Sequence, residues 1–176
     1  MSHAMDESTV CTVLRAATWA AEKHRHDSRE DGSGFIEHGL GSARVVAEAG
    51  HVDAETLSAA LCHDVVEHGG ATVDDMSLIF GPTVSSGVDV LTVREGRDAF
   101  FALARASALP KVVKLGDLVH NLRSLLVARP ATWGDERLRH FLRDARLYRL
   151  VAGPADPHLA GLVDEQIRSV RLRFRL

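Results

Sequence analysis

Lys111-Val-Val-Lys-Leu-Gly-Asp-Leu-Val-His-Asn-Leu-Arg-Ser-Leu-Leu126 decides the fold of this 176-residue chain. Val112, Val113, Leu115, Leu118, Val119, Leu122, Leu125 and Leu126 cover most of a helical circumference. A helix apolar nearly all round belongs at the centre of a bundle. Only a thin polar stripe interrupts it: Lys114, Asp117, Asn121 and Ser124, at spacings of three, four and three. Asp and Asn are poor helix-interior residues, and a buried carboxylate must be paired or bound to a cation. The stripe is therefore either a solvated edge or a functional one.

Working outward, the apolar spacing is helical nearly everywhere. Val10, Val13, Leu14, Ala17 and Ala21 follow the i, i+3, i+4, i+7 pattern, and a polar stretch over residues 24–34 is too rich in Asp, Ser and Gly for regular structure. A second helix is expected over residues 40–49 and a third over 53–67, with Asp53 as N-cap and Gly69-Gly70 beyond its end. Thr72-Val-Asp-Asp75 outlines a capping box for a short fourth, and Gly81-Pro82 opens a fifth with Pro at its first position. Residues 95–107, 110–128, 133–152 and 157–174 complete the set. The expected class is all-α, a single domain over residues 1–176 built from about eight or nine helices.

Composition sets the outer bounds. A chain of this length buries roughly 70% of its unfolded surface, enough for a core without staples. Lys and Arg number 21 against 24 Asp and Glu, a net charge of −3, so a role resting on neutralising nucleic-acid phosphates is not expected. Cys11 and Cys62 are far apart with no CxxC, which argues against a disulfide scaffold and a thiolate zinc site. The opening Met1–Val10 has neither a basic n-region nor an apolar h-region, and no uncharged run spans a bilayer, so the expected compartment is the cytoplasm. Ten histidines beside a single tyrosine are the unusual count.

Three of those histidines lie in chemistry-bearing positions. In Leu61-Cys-His-Asp-Val-Val-Glu-His68, a continuing helix would put His63 one turn from Glu67 and Asp64 one turn from His68. Imidazoles and carboxylates alternating in so apolar a helix have a metal-ligand composition, although not the HExxH pattern. His38, in Phe35-Ile-Glu-His38, sits where a loop becomes a helix. Cys62 is read as a packing residue. The arginines near the C-terminus are read as a solvated face or subunit contact. No GxxxxGK[ST], GxGxxG or GxSxG occurs.

Taken in order, His38, His63-Asp64 and Asp117 resemble the metal-binding series of the HD phosphohydrolase superfamily. The segments are similar to the hydrolase domain of RelA/SpoT alarmone enzymes, and closer to the stand-alone small alarmone hydrolases. Gly34-Phe-Ile-Glu-His38-Gly39 resembles their PYIxHP, Ala59 to His68 resembles AALLHDxxED, and Lys114 to Arg123 resembles KLADxxHNxR. Pro130 to Arg137 resembles their Pro-x-x-Trp-x-x-x-Arg stretch. The resemblance implies an HD-domain helical bundle holding one divalent ion, typically Mn²⁺, on His38, His63, Asp64 and Asp117. It implies removal of the 3′-pyrophosphate of guanosine tetra- or pentaphosphate by water. Glu67 would orient or deprotonate that water, His68 would assist, and Arg29, Lys114, Asn121 and Phe141 would bind substrate.

The departures bear on the nucleotide. The family's Glu-Asp pair is Glu67-His68, its Arg-Lys pair is Arg29-Glu30, and its pocket Tyr corresponds to Phe141. Glu30 in place of Lys is expected to weaken binding of highly charged ligands if it faces the pocket. The expected partner is a nucleotide, with no nucleic acid or membrane and a homodimer left open. The alternative is an HD phosphatase acting on another nucleotide: an adenine alarmone, a 2′- or 3′-phosphorylated dinucleotide, or a nucleoside monophosphate. A third reading is a nucleotide sensor without catalysis.

Overall fold

The computed structural model describes residues 7–92 and 97–176. Among them the chain forms nine α-helices: α1 (Glu7–Lys23), α2 (Phe35–Glu48), α3 (Ala54–Cys62), α4 (Val73–Phe80), α5 (Pro82–Leu91), α6 (Arg97–Arg105), α7 (Ala108–Val127), α8 (Asp135–Ala152) and α9 (Pro157–Phe174). A 3₁₀ turn, Gly153–Ala155, links the last two. The only extended pairing among the described residues is an isolated bridge between Ser28 and Gly34, which closes the α1–α2 loop. No helix here is long and apolar enough to cross a membrane.

The sequence-encoded ends are in place. Asp53 caps α3 by accepting from Thr56 N–H at 2.8 Å, and Asp156 caps α9 through Leu159 N–H at 2.9 Å. The Thr72–Asp75 box is reciprocal, with Asp75 N–H donating to Thr72 Oγ1 and Thr72 N–H to Asp75 Oδ2. Pro82 opens α5.

Other boundaries differ from the sequence expectation. The second helix begins at Phe35, not near residue 40, because Glu37 N–H bonds the Gly34 carbonyl at 3.0 Å and starts the helix early. His38 therefore stands in the first turn of α2. The third helix stops at Cys62, and residues 63–68 run on as successive turns. His63 Nδ1 bonds the Ala60 carbonyl at 2.8 Å, the acceptor that a continuing helix would offer to Asp64 N–H. Val65 N–H turns to Cys62 O at 3.1 Å. The eighth helix begins at Asp135 rather than Trp133. The sixth runs over Arg97–Arg105; the expected positions 95 and 96 lie outside the described residues.

The stretch that decides the fold is central. Helix α7 buries Val112, Val113, Leu115, Leu118, Val119, Leu122 and Leu125, packs chiefly against α2 and α9, and also meets α3, α5 and α8. The buried apolar side chains of all these elements form one cluster. Cys62 belongs to it: burial pushes its thiol up to about 12, and Sγ lies 3.7 Å from the Ala16 carbonyl. It is a packing residue, as expected.

Two close approaches set the spacing of the helices that carry the polar residues. A Cβ on Gly39 of α2 would sit 2.7 Å from the Leu61 carbonyl oxygen of α3. One on Gly116 of α7 would sit 2.4 Å from Val46 Cγ2 of α2. The first contact is with backbone and cannot be relieved by a rotamer. Gly39→Ala should therefore destabilise the fold by roughly 1–3 kcal/mol, an overpacking cost, measured as a lower thermal midpoint. An unchanged midpoint would show that α2 and α3 can separate freely.

Candidate active site

The helix starts and ends just described bring four side chains to one point. His38 comes from the first turn of α2, His63 and Asp64 from the end of α3, and Asp117 from the middle of α7. His38 Nε2 lies 3.0 Å from His63 Nε2, 3.4 Å from Asp64 Oδ2 and 3.2 Å from Asp117 Oδ1. His63 Nε2 lies 3.4 Å from Asp64 Oδ1 and 3.8 Å from Asp117 Oδ1. His38, His63 and Asp64 each offer a ligand atom within 4.8 Å of the others'. Two donors held at right angles on a cation, each about 2.1–2.2 Å away, are about 3 Å apart. The observed spacings fit such a cation, and the mixed nitrogen and oxygen set suits a divalent ion with positions left open.

The protonation states fit as well. His63 Nδ1 faces the Ala60 carbonyl, which fixes the proton there and turns the Nε2 lone pair into the cluster. Burial lowers the pKa of His38, against the pull of Asp117. Its Nδ1 has no hydrogen-bond partner among the described residues. Packing holds the ring instead, between His63 at 4.9 Å and His120 at 5.2 Å, centroid to centroid. Burial also drives His120 down, to about 4, with His38 and Arg29 adding to the effect.

Asp117 is buried yet anionic. Burial alone would raise its pKa, but the Lys114 ammonium and the imidazoles of His38 and His63 outweigh it and hold the carboxyl well below the usual range. Lys114 Nζ donates to Oδ2 at 2.8 Å and Asn121 Nδ2 to Oδ1. Arg29, from the α1–α2 loop, donates in turn to Asn121 Oδ1 at 2.6 Å. Lys114, Asp117 and Asn121 of the α7 stripe thus form a part-buried network around Asp117, not a solvated edge.

The cluster forms part of the wall of a cavity of about 690 Å³. All ten site residues expected from the sequence line it: Arg29, His38, His63, Asp64, Glu67, His68, Lys114, Asp117, Asn121 and Phe141. Glu67 and His68 are paired to each other, Oε1 to Nε2 at 3.2 Å, and Phe35 packs on the His68 ring at 4.8 Å. The end of α3 at Cys62 does not separate Glu67 from the cluster's cavity, and His68 N–H still reaches the Asp64 carbonyl at 2.9 Å. Asn121 is engaged at both ends of its amide, so in this conformation it positions Asp117 and Arg29.

Sequence reasoning missed part of the wall. Tyr148, the only tyrosine in the chain, lines the cavity seven residues beyond Phe141 on α8, stacked on Phe100 at 4.3 Å with Lys114 Nζ 4.8 Å from its ring. Two helical turns place it on the Phe141 face, a spacing visible in the sequence. Trp133 also lines the cavity, edge-on to Phe141 at 5.4 Å. Leu103 and Val113 supply apolar wall that no motif marks.

An all-helical bundle gathering His, His-Asp and Asp from three helices in one cavity is an HD-type hydrolase. Residues 16–100 match the family model of the HD domain. Guanosine-3′,5′-bis(diphosphate) 3′-pyrophosphohydrolase MESH1 of Mus musculus is 35% identical over 144 residues, covering 76% of this chain and 80% of that protein. The bifunctional (p)ppGpp synthase/hydrolase SpoT of Escherichia coli K12 is 31% identical over 161 residues, 84% of this chain but 22% of that protein. Among solved structures, a metazoan ortholog of SpoT that hydrolyses ppGpp and plays a role in starvation responses matches with a TM-score of 0.84 at 28% identity, covering 96% of this chain and 98% of that one. The chain belongs to the HD-domain hydrolases, in the family that includes MESH1.

Metal loading gives the direct check. Protein stripped of metal should gain thermal stability when a divalent ion is added, since an ion that binds only the folded state stabilises it by mass action. Asp117→Ala should lose that gain. A stabilisation that survives Asp117→Ala would place the ion elsewhere.

Proposed function

We propose that the chain is a Mn²⁺-dependent phosphohydrolase that removes the 3′-pyrophosphate of a purine nucleotide of the guanosine tetraphosphate type. The observation that carries the reading is the convergence of His38, His63, Asp64 and Asp117 in the cavity that also contains Glu67. It is supported by the likeness to MESH1, named for 3′-pyrophosphohydrolysis of guanosine-3′,5′-bis(diphosphate). When bound, a hard dication polarises a phosphoryl oxygen and lowers the pKa of a water. The remaining work falls to the chain. His63 presents Nε2 because Ala60 holds its other nitrogen, and Lys114 keeps Asp117 ionised. Glu67 orients the attacking water or takes its proton. His68, in contact with Glu67, is placed to receive or return that proton. Phe141, Tyr148 and Trp133 give the cavity an aromatic wall against which the base would rest.

Glu67→Gln should abolish turnover while leaving Mn²⁺ affinity within about threefold, because the carboxylate lies outside the four proposed ligands. The assay incubates the Mn²⁺-loaded protein with guanosine tetraphosphate, its adenine analogue and a set of 2′-, 3′- and 5′-monophosphates, and identifies products by mass. Pyrophosphate release from the first two supports the reading. Orthophosphate from monoesters alone would move the chain to the alternative phosphatase. Near-full activity in Glu67→Gln would remove that residue from the mechanism.

A further inference from the structure

The cavity wall carries an unusual charge balance. Among the described residues lining it, five are carboxylates, Glu30 and Asp31 among them, and only Arg29 and Lys114 are full cations. Both cations are engaged, Arg29 by Asn121 at 2.6 Å and Lys114 by Asp117 at 2.8 Å. Five carboxylates against two cations and a divalent ion leave these lining groups at −1, with Arg137, outside the lining, as the partner that offsets Glu30.

Glu30 is the most elaborately held of the five. Its carboxylate takes both terminal nitrogens of Arg137, with the Nη1 contact at 2.9 Å, and accepts from Trp133 Nε1 and Thr132 Oγ1 at 3.0 Å each. Those hydrogen bonds, Arg137's first, keep Glu30 ionised below the usual carboxylate range. The Arg137 guanidinium lies 4.6 Å from the Trp133 ring. Trp133 and Glu30 line the cavity; Arg137 stands behind them and is not part of the wall. The α1–α2 loop is thereby pinned through consecutive residues, Arg29 to α7 and Glu30 to the start of α8. The Arg137 guanidinium is thus occupied by an acid of the wall.

We propose that Glu30, latched by Arg137, Trp133 and Thr132, is a charge-selecting residue that sets the pocket to prefer nucleotides carrying one phosphate chain, the 3′ one, over those carrying a second at the 5′ position. This rests on the proposed nucleotide 3′-pyrophosphohydrolase reading and narrows its substrate class. A second chain adds at least ~1.5–2 negative charges, and like-charge contact with Glu30, half-exposed at the cavity wall, acts against the wrong ligand more than it helps the right one.

Binding and turnover are measured separately. Guanosine 3′-diphosphate and guanosine 3′,5′-bis(diphosphate) are titrated calorimetrically into metal-free protein, then assayed for hydrolysis with Mn²⁺. The parent should bind the first about tenfold more tightly at low salt, and the ratio should shrink as added salt screens the repulsion. Glu30→Gln should shrink it about threefold, and Glu30→Lys should abolish or invert it. Arg137→Gln, which strips the neutralising partner from Glu30, should widen it. A latch with a purely structural role would move Glu30→Gln and Arg137→Gln in the same direction, so opposite shifts identify charge selection. Thermal melts confirm folding, and Glu30→Gln with Arg137→Gln suffices if Glu30→Lys does not fold. Equal affinities in the parent, shifts of the same sign, or no binding of either nucleotide at millimolar concentration would overturn the proposal. Expected binding ratios without hydrolysis would instead refute the hydrolase reading and leave charge selection standing.

Discussion

The backbone of α2 touches the last turn of α3 at Gly39 and meets α7 at Gly116, and the site depends on these two approaches. Each glycine is the sequence neighbour of a cluster residue, His38 in one case and Asp117 in the other. Side chains of modest reach therefore meet within 3–4 Å although they are spread over three helices. A core packed to crystal-like density has little room to adjust such spacings, so close packing and ligand geometry are one constraint. The early start of α2 and the early end of α3 serve it too, by placing His38 and His63 at helix termini that face each other.

Burying Asp117 in so apolar a helix would cost several kcal/mol if the carboxylate were unpaired. Lys114, one turn earlier, and Asn121, one turn later, supply its partners from the same helix. Arg29 extends the network to a loop 92 residues away in sequence. That loop is held again at Glu30 by Arg137. The His38–His63–Asp64–Asp117 cluster and the start of α8 are thus joined through consecutive residues of one short loop, and a change of charge at Glu30 alters the cavity wall without touching the cluster.

The fold was legible because it is written in local spacing, and the proposed ligands because His38, His63-Asp64 and Asp117 follow the order of a family motif. Helical period, Pro82 and Gly81, the Thr72–Asp75 box and the Asp53 cap fixed most elements, and the polar stripe on an otherwise apolar α7 pointed to Asp117. What was illegible depends on contacts across the fold. The helical reading of residues 63–67 failed because the His63 ring competes for the Ala60 carbonyl, a preference that no propensity encodes. The departure at Glu30 was visible in the sequence, but its partners stand more than 100 residues downstream and only packing reveals them. Tyr148 lies two helical turns from Phe141, a readable spacing, but only the fold shows that the α8 face they share lines the cavity.

The central claim is that His38, His63, Asp64 and Asp117 hold one divalent ion. Electron spin-echo spectroscopy of the Mn²⁺-loaded protein tests it most directly, because it counts imidazole nitrogens bound to the metal. The account predicts one Mn²⁺ per chain coupled to two histidine nitrogens, falling to one nitrogen in His38→Ala or His63→Ala. A bound Mn²⁺ with no histidine coupling, or a two-nitrogen signal that survives His63→Ala, would contradict it.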